Sequence, residues 1–267
     1  MTIRRAVSLI AIAITLAGVA GWVVAHGLAR APCGTCNRVR RPPAAAGGWH
    51  LLLDDHFDGQ RLNARLWSTG WFGHGITASP DEATDKACYA PGQVRVNDGL
   101  AISIAARSSV CGGRPHPYTS GIITTRGKFT FTYGYVQARI WMPKAGRRIA
   151  DAPAFWSDGE NWPHDGEIDI VEGDGGVPCA HFHYSAGAPG RCVRLPGGTS
   201  GWHTYAAKWQ PGRITYYYDG RMIWRDEVGV TDKPMYLVLG MGVDAASLRR
   251  VPGAMRVSAV DVWGRST

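Results

Sequence analysis

The sequence predicts an all-β fold, an antiparallel β-sandwich or jelly roll. Three observations carry this. Short alternating apolar and polar segments recur along the chain with turn dipeptides between them, and after the first 25 residues no long helical periodicity appears. The 35 glycines and 16 prolines punctuate the chain too often for helices. The 11 tryptophans and 10 tyrosines supply large apolar surfaces of the kind a sandwich interior absorbs.

The elements follow in order. Arg4-Arg5 is followed by an uncharged apolar run, Ala6–Ala25, which reads as a secretory leader or an N-terminal membrane anchor helix. Val23-Val24-Ala25 offers a small-residue cleavage site, and either reading places the remainder outside the cytoplasm. Residues 26–48, with Pro32, Pro42, Pro43 and Gly47-Gly48, read as an exposed linker. Residues 49–267 suit one sandwich domain. Strands are expected at Leu100–Ala105, Lys128–Thr132, Tyr135–Met142, Ile168–Val171, Tyr205–Trp209, Ile214–Tyr218, Met235–Leu239 and Met255–Val262. Asn97-Asp98-Gly99, Pro211-Gly212 and Asp219-Gly220 mark turns between them. Sheets of this length curve, leaving a concave face able to hold an extended polymer.

The net charge of +8 is misleading. Arg4, Arg5, Arg30, Arg38, Arg40 and Arg41 all precede Gly48, and the first acid is Asp54. Without those six, 23 basic residues stand against 21 acidic ones, so the domain is nearly neutral and nucleic acid is not an expected partner. Six cysteines in an exported chain suggest disulfides, and spacing favours Cys88–Cys111, Cys179–Cys192 and Cys33–Cys36. The CxxC at Cys33 lacks a second such motif and a βαβ setting, which argues against zinc or redox chemistry.

The most informative segment is Glu167-Ile168-Asp169-Ile170-Val171-Glu172. Carboxylates are depleted in strands, so three in one strand need a reason. Alternation puts Glu167 and Asp169 on one face and leaves Glu172 at the wrong parity. A one-residue bulge near Ile170-Val171 would return it. Two glutamates on one face are what retaining glycoside hydrolysis needs, with carboxyl groups about 5–5.5 Å apart. Trp156 and Trp162 bracket the polar loop Ser157–Asn161 before this strand and are expected to line the cleft.

Taken together these residues resemble glycoside hydrolase family 16, particularly its laminarinase-like, bacterial β-1,3-glucanase branch. The likeness rests on the acidic strand and on an ordered set of blocks. These are Phe57-Asp58-Gly59 with Trp67, Ser120–Thr125, Tyr133–Arg139, Pro153-Ala154-Phe155-Trp156, Trp202–Trp209 and Tyr218-Asp219-Gly220. The resemblance implies a concanavalin-like jelly roll and retention. Glu167 would be the nucleophile, Glu172 the general acid/base and Asp169 the residue that tunes the nucleophile. It also places His183 and Arg139 on the cleft side. Three departures, Gln93, Gln137 and Leu239-Gly240-Met241-Gly242, fall at expected substrate contacts and leave subsite preference open. Several members hold a structural calcium; Asp261 occupies a corresponding position, with His56 where an acid is frequent. No cofactor is required for the chemistry.

The expected function is an exported, monomeric endo-glycosidase acting on β-1,3 or mixed β-1,3/1,4 glucan, with a membrane tether through residues 6–25 if the leader is retained. The alternatives are a glucan-binding protein without turnover, or a hydrolase or transglycosylase acting on another polysaccharide such as a galactan. A polysaccharide lyase fits the paired glutamates badly.

Overall fold

The computed structural model describes residues 48–80, 85–196, 198–199, 201–243 and 252–265. The apolar run, the linker up to residue 47 and the Cys33–Cys36 pair lie outside them. Among the described residues no helix is long and apolar enough to cross a membrane.

Alternation in the strands builds two antiparallel sheets around one core. The acidic sheet runs Gly190–Cys192, Cys179–His183, Glu167–Glu172, Ala152–Gly159, Met235–Gly242, Ile122–Thr124, Ser68–Thr69. The back sheet runs Arg221–Asp226, Arg213–Tyr218, Trp202–Gln210, Gly134–Trp141, Gly253–Arg265, Leu100–Ile104, Val94–Val96. Trp49–Asp55 pairs with the second half of Gly253–Arg265. Neighbours in each sheet are often distant in sequence, which is the crossing pattern of a jelly roll.

Period two sorts each strand between core and surface. In Gly134–Trp141, Val136, Ala138 and Ile140 join the core between the sheets, and Tyr135, Gln137 and Arg139 face outward. Phe155, Ile168, Phe182, Leu237 and Leu239 meet them from the acidic sheet. Each such side chain, fully buried, contributes about 1.5–3 kcal/mol. A second, separate cluster (Tyr89, Ile122, Trp156, Tyr236 and Val238) lies on the other side of the acidic sheet.

Most expected strands form, and the turns behave as their residues require. Asp98 and Asp219 take positive φ of 50° ahead of Gly99 and Gly220, the left-handed pairing of tight hairpins. Lys128–Thr132 is the exception. Phe129 donates its amide to the Thr125 carbonyl in a turn, and only Phe131 bridges to Met235. Its alternation is satisfied by packing, with Phe131 edge-on to Trp209, and not by a ladder. The polar loop expected from Ser157 begins later, because the strand continues to Gly159. Both disulfides expected within the domain form, Cys88–Cys111 and Cys179–Cys192. The second ties Cys179–His183 to its edge neighbour.

Asp261 faces outward from the back sheet opposite Gln137 and Asp54, yet is buried. Gln137 Nε2 donates to Asp261 Oδ2 at 3.3 Å, and Oδ1 has no partner. Among the described residues no cluster of three acidic, histidine or cysteine donor atoms includes Asp261, and His56 brings positive character nearby. Asp261 would give a calcium ion one carboxylate, and the remaining oxygens would have to come from backbone carbonyls and water. Gln137, one of the three departures, therefore meets Asp261 and not the acidic strand.

Burial pushes the Asp261 carboxyl up to about 6. A raised folded pKa contributes stability below the unfolded value and loses it as pH rises through about 6. Asp261→Asn is therefore expected to unfold at higher temperature than the parent above pH 7, by up to about 3 kcal/mol in stability, with the gap closing below pH 4. Thermal melts across pH, with calcium and with chelator, check this. A calcium-dependent loss of stability in the variant would instead place a metal ion on Asp261.

Candidate active site

The acidic strand carries the bulge that its parity demanded. Across the pair with Ala152–Gly159, Asp158 stands opposite Glu167, Trp156 opposite Asp169, Phe155 opposite Val171 and Ala154 opposite Glu172. Ile170 is the extra residue, and the register against Cys179–His183 shifts over the same interval. Ile170 and Val171, though consecutive, both enter the core between the sheets. Glu167, Asp169 and Glu172 consequently share the outer face. Gly173 ends the strand where a Cβ would come within 2.7 Å of Ile149 and Pro153.

Each carboxylate has its own partner. Trp162 Nε1, on an exposed ring, donates to Glu167 Oε2 at 2.6 Å. His181 Nδ1 lies 2.7 Å from Glu172 Oε2. His183 Nε2 is 3.0 Å from Asp169 Oδ2, close enough for attraction but not aligned as a hydrogen bond. Asp169 hydrogen-bonds to Glu167.

Burial pushes Glu167 and Asp169 well above the usual carboxylate range; the Asp169 charge adds to the rise at Glu167, and the Glu172 charge to that at Asp169. Such closely coupled carboxyls titrate as a set and not singly. Asp169, only 2 % exposed, is the more costly of the two to charge. The hydrogen bond with Glu167 favours ionised Asp169, and the Trp162 N–H favours ionised Glu167.

Neighbouring strands of the same sheet, and the loops beside them, add groups that sequence reading missed. Tyr236 donates its hydroxyl to Asp158 Oδ2 at 2.9 Å, and Asp158 Oδ1 is buried without a partner. Burial raises the Asp158 carboxyl to about 6. Arg126 pairs with Glu160 at 2.6 Å and lies over the Phe72 and Tyr236 rings. Trp71 packs against Trp156, Tyr89 and Phe72, so a floor of rings adjoins the carboxylates. Period-two spacing from Trp156 to Asp158 was the available signal for Asp158, obscured by the reading of this stretch as a loop.

The structure thus brings together Glu167, Asp169, Glu172, Trp156, Trp162 and His183. It adds His181, which reaches Glu172 where His183 does not. Arg139 is not among them. It points outward from the back sheet, over the Trp202 ring and near Asp219, on the far side of the core from the acidic strand. Of the departures, Gly240 does adjoin the site, with Trp156 within 3.5 Å of where its Cβ would stand.

Two groups of donor atoms lie within 4.8 Å of one another among the described residues. In Cys88, Cys111 and His116 the sulfurs are already bonded to each other. In Asp169, Glu172 and His181 the imidazole is already hydrogen-bonded to Glu172.

Comparison with known proteins agrees with this geometry. The profile of the family described as glycosyl hydrolases family 16 matches residues 82–254. A β-glucanase of Rhodothermus marinus is 31% identical over 194 residues, 66% of this chain and 65% of that protein. A keratan-sulfate endo-1,4-β-galactosidase of Sphingobacterium multivorum is 26% identical over 249 residues, 82% of this chain and 56% of its own length. This chain therefore spans less than two thirds of either relative. Among solved structures, the endo-β-1,3-glucanase of Pyrococcus furiosus superposes with a TM-score of 0.72 at 25% identity, covering 82% of this chain and 95% of that one.

Trp162→Phe keeps the ring and removes the N–H that favours ionised Glu167. The acid limb of kcat/KM is expected to move up by about half to one pH unit, with a loss of roughly tenfold at acid pH. A pH–rate profile checks this; an unmoved acid limb would show that the indole does not set the charge on Glu167.

Proposed function

The chain belongs to glycosyl hydrolases family 16, and we propose that it is an endo-acting glycosidase that cleaves β-1,3 or mixed β-1,3/1,4 glucan with retention of configuration. The observation that carries this reading is the bulged strand, which sets two glutamates on one face with different partners. Glu167, its charge supported by the Trp162 N–H, attacks the anomeric carbon. Glu172 protonates the departing glycosidic oxygen, and a covalent glycosyl-enzyme forms. Glu172 then takes a proton from water, whose oxygen displaces Glu167 and frees the sugar. His181, on Glu172 Oε2, orients that carboxyl for both transfers. The exposed ring of Trp162 and the half-buried ring of Trp71 offer faces for sugar C–H groups, and buried Trp156, Tyr89 and Tyr236 pack beneath Trp71.

The Sphingobacterium relative keeps a galactan substrate as the second reading. Acidic residues along the site, with Arg126 already paired to Glu160, favour a neutral glycan over a sulfated one. Export and a tether rest on residues 1–25 alone.

The test is oligosaccharide release from laminarin, barley mixed-linkage glucan and agarose. Release from laminarin or barley glucan that falls about 100- to 10,000-fold in Glu172→Gln is the expected result. Release from agarose alone would move the substrate to galactans. Binding of laminarin without any product from the parent chain would make it a glucan-binding protein.

A further inference from the structure

The outer face of the back sheet is a second surface with its own composition, and the reaction uses none of it. Three arginines lie over three tryptophans there. The guanidinium of Arg139 is 5.8 Å from the Trp202 ring, that of Arg256 5.6 Å from Trp141, and that of Arg265 5.8 Å from Trp49. Register places these pairs on one continuous face. Trp49 and Leu51 oppose Arg265 and Trp263, Tyr135 lies between Trp263 and Lys208, and Trp141 between Arg256 and Trp202. Tyr135, Trp263, Trp49 and Tyr217 pack together beneath the cations as a cluster separate from the core. Exposed Arg95 extends the face beyond Arg256 through Ala101. The acids near it are few: Asp261 is buried, Asp219 is paired with His203, and Asp54 stands exposed at one end.

We propose that this face docks on an anionic phospholipid surface. Arginine guanidinium groups match phosphate in a planar, bidentate way, and tryptophan and tyrosine settle at the headgroup level. Leu51 is 49 % exposed beside Trp49 and Trp263, apolar surface suited to entering the acyl boundary. A neutral glucan could stack on the rings, but it would leave the guanidinium charge without a counterpart and the leucine in water. The preceding residues, with their apolar run and their own arginines, join the domain at Trp49, a member of this face. The acidic strand lies on the opposite side of the core, so docking leaves the reaction site open to polymer.

The test uses the full chain and co-sedimentation with phosphatidylcholine vesicles, with and without phosphatidylglycerol, at low and high salt. The apolar run contributes equally to both vesicles, so the gain from phosphatidylglycerol is the quantity read. Lys208→Glu, Arg256→Glu and Arg265→Glu together are expected to remove a gain on the order of 100-fold, from three cations each worth about fivefold near such a surface. Arg38→Glu, Arg40→Glu and Arg41→Glu together, in the linker, are expected to retain most of it. Cooperative thermal unfolding monitors the fold, and glutamine at the same three face positions gives the same reading if charge reversal impairs folding. A gain absent from the parent, or one that survives the face variant and vanishes in the linker variant, overturns the proposal. Face-dependent binding of alginate without any gain from phosphatidylglycerol also overturns it, in favour of an acidic glycan.

Discussion

Two consecutive side chains, Ile170 and Val171, turn into the same core, and the chemistry of the molecule follows from that. A regular strand would bury one and expose the other, sending Glu172 to the side opposite Glu167. The hydrophobic gain of burying both holds the bulge in place, and the bulge holds the second glutamate at the site. The neighbours are built to accept it. Cys179–His183 shifts register over the same interval and delivers His181 to Glu172, and the Cys179–Cys192 bridge anchors that strand at its start. Packing and the placement of the three carboxylates are therefore not separable at this strand.

Electrostatics continue what packing begins. Three carboxyl groups on one face would repel if all were ionised, and the structure separates them by giving each a different company. Asp169, deepest, hydrogen-bonds to Glu167; Glu167 has an indole N–H; Glu172 has an imidazole. Across the core the sign inverts, and arginines lie over tryptophans on the outer back face. The near-neutral domain is thus two oppositely charged surfaces, a feature that its net charge hides.

The sequence was legible where a residue's role is local. Period two announced the sandwich, parity announced the bulge, Asp98-Gly99 and Asp219-Gly220 announced hairpins, and loop-closing spacing announced both disulfides of the domain. It was misleading where the role depends on which sheet a strand joins. Arg139 alternates correctly with a buried set, but its strand belongs to the back sheet, which puts it far from the carboxylates. Asp158 was hidden for a related reason. The polar residues Ser157–Asn161 look like a loop, and only pairing with Met235–Gly242 reveals a strand that sets Asp158 between Tyr236 and Glu167. The choice of His181 over His183 as partner of Glu172 is a consequence of the bulge, since the shifted register slides Glu172 along its neighbour.

The central claim is that Glu167 and Glu172 act as nucleophile and acid/base through a covalent intermediate. The most direct measurement is proton NMR of the first reducing end released from a laminarin oligosaccharide, read before mutarotation. The account predicts that the β anomer appears first and the α anomer grows only later. An α product at the earliest times would mean direct attack by water and would contradict it.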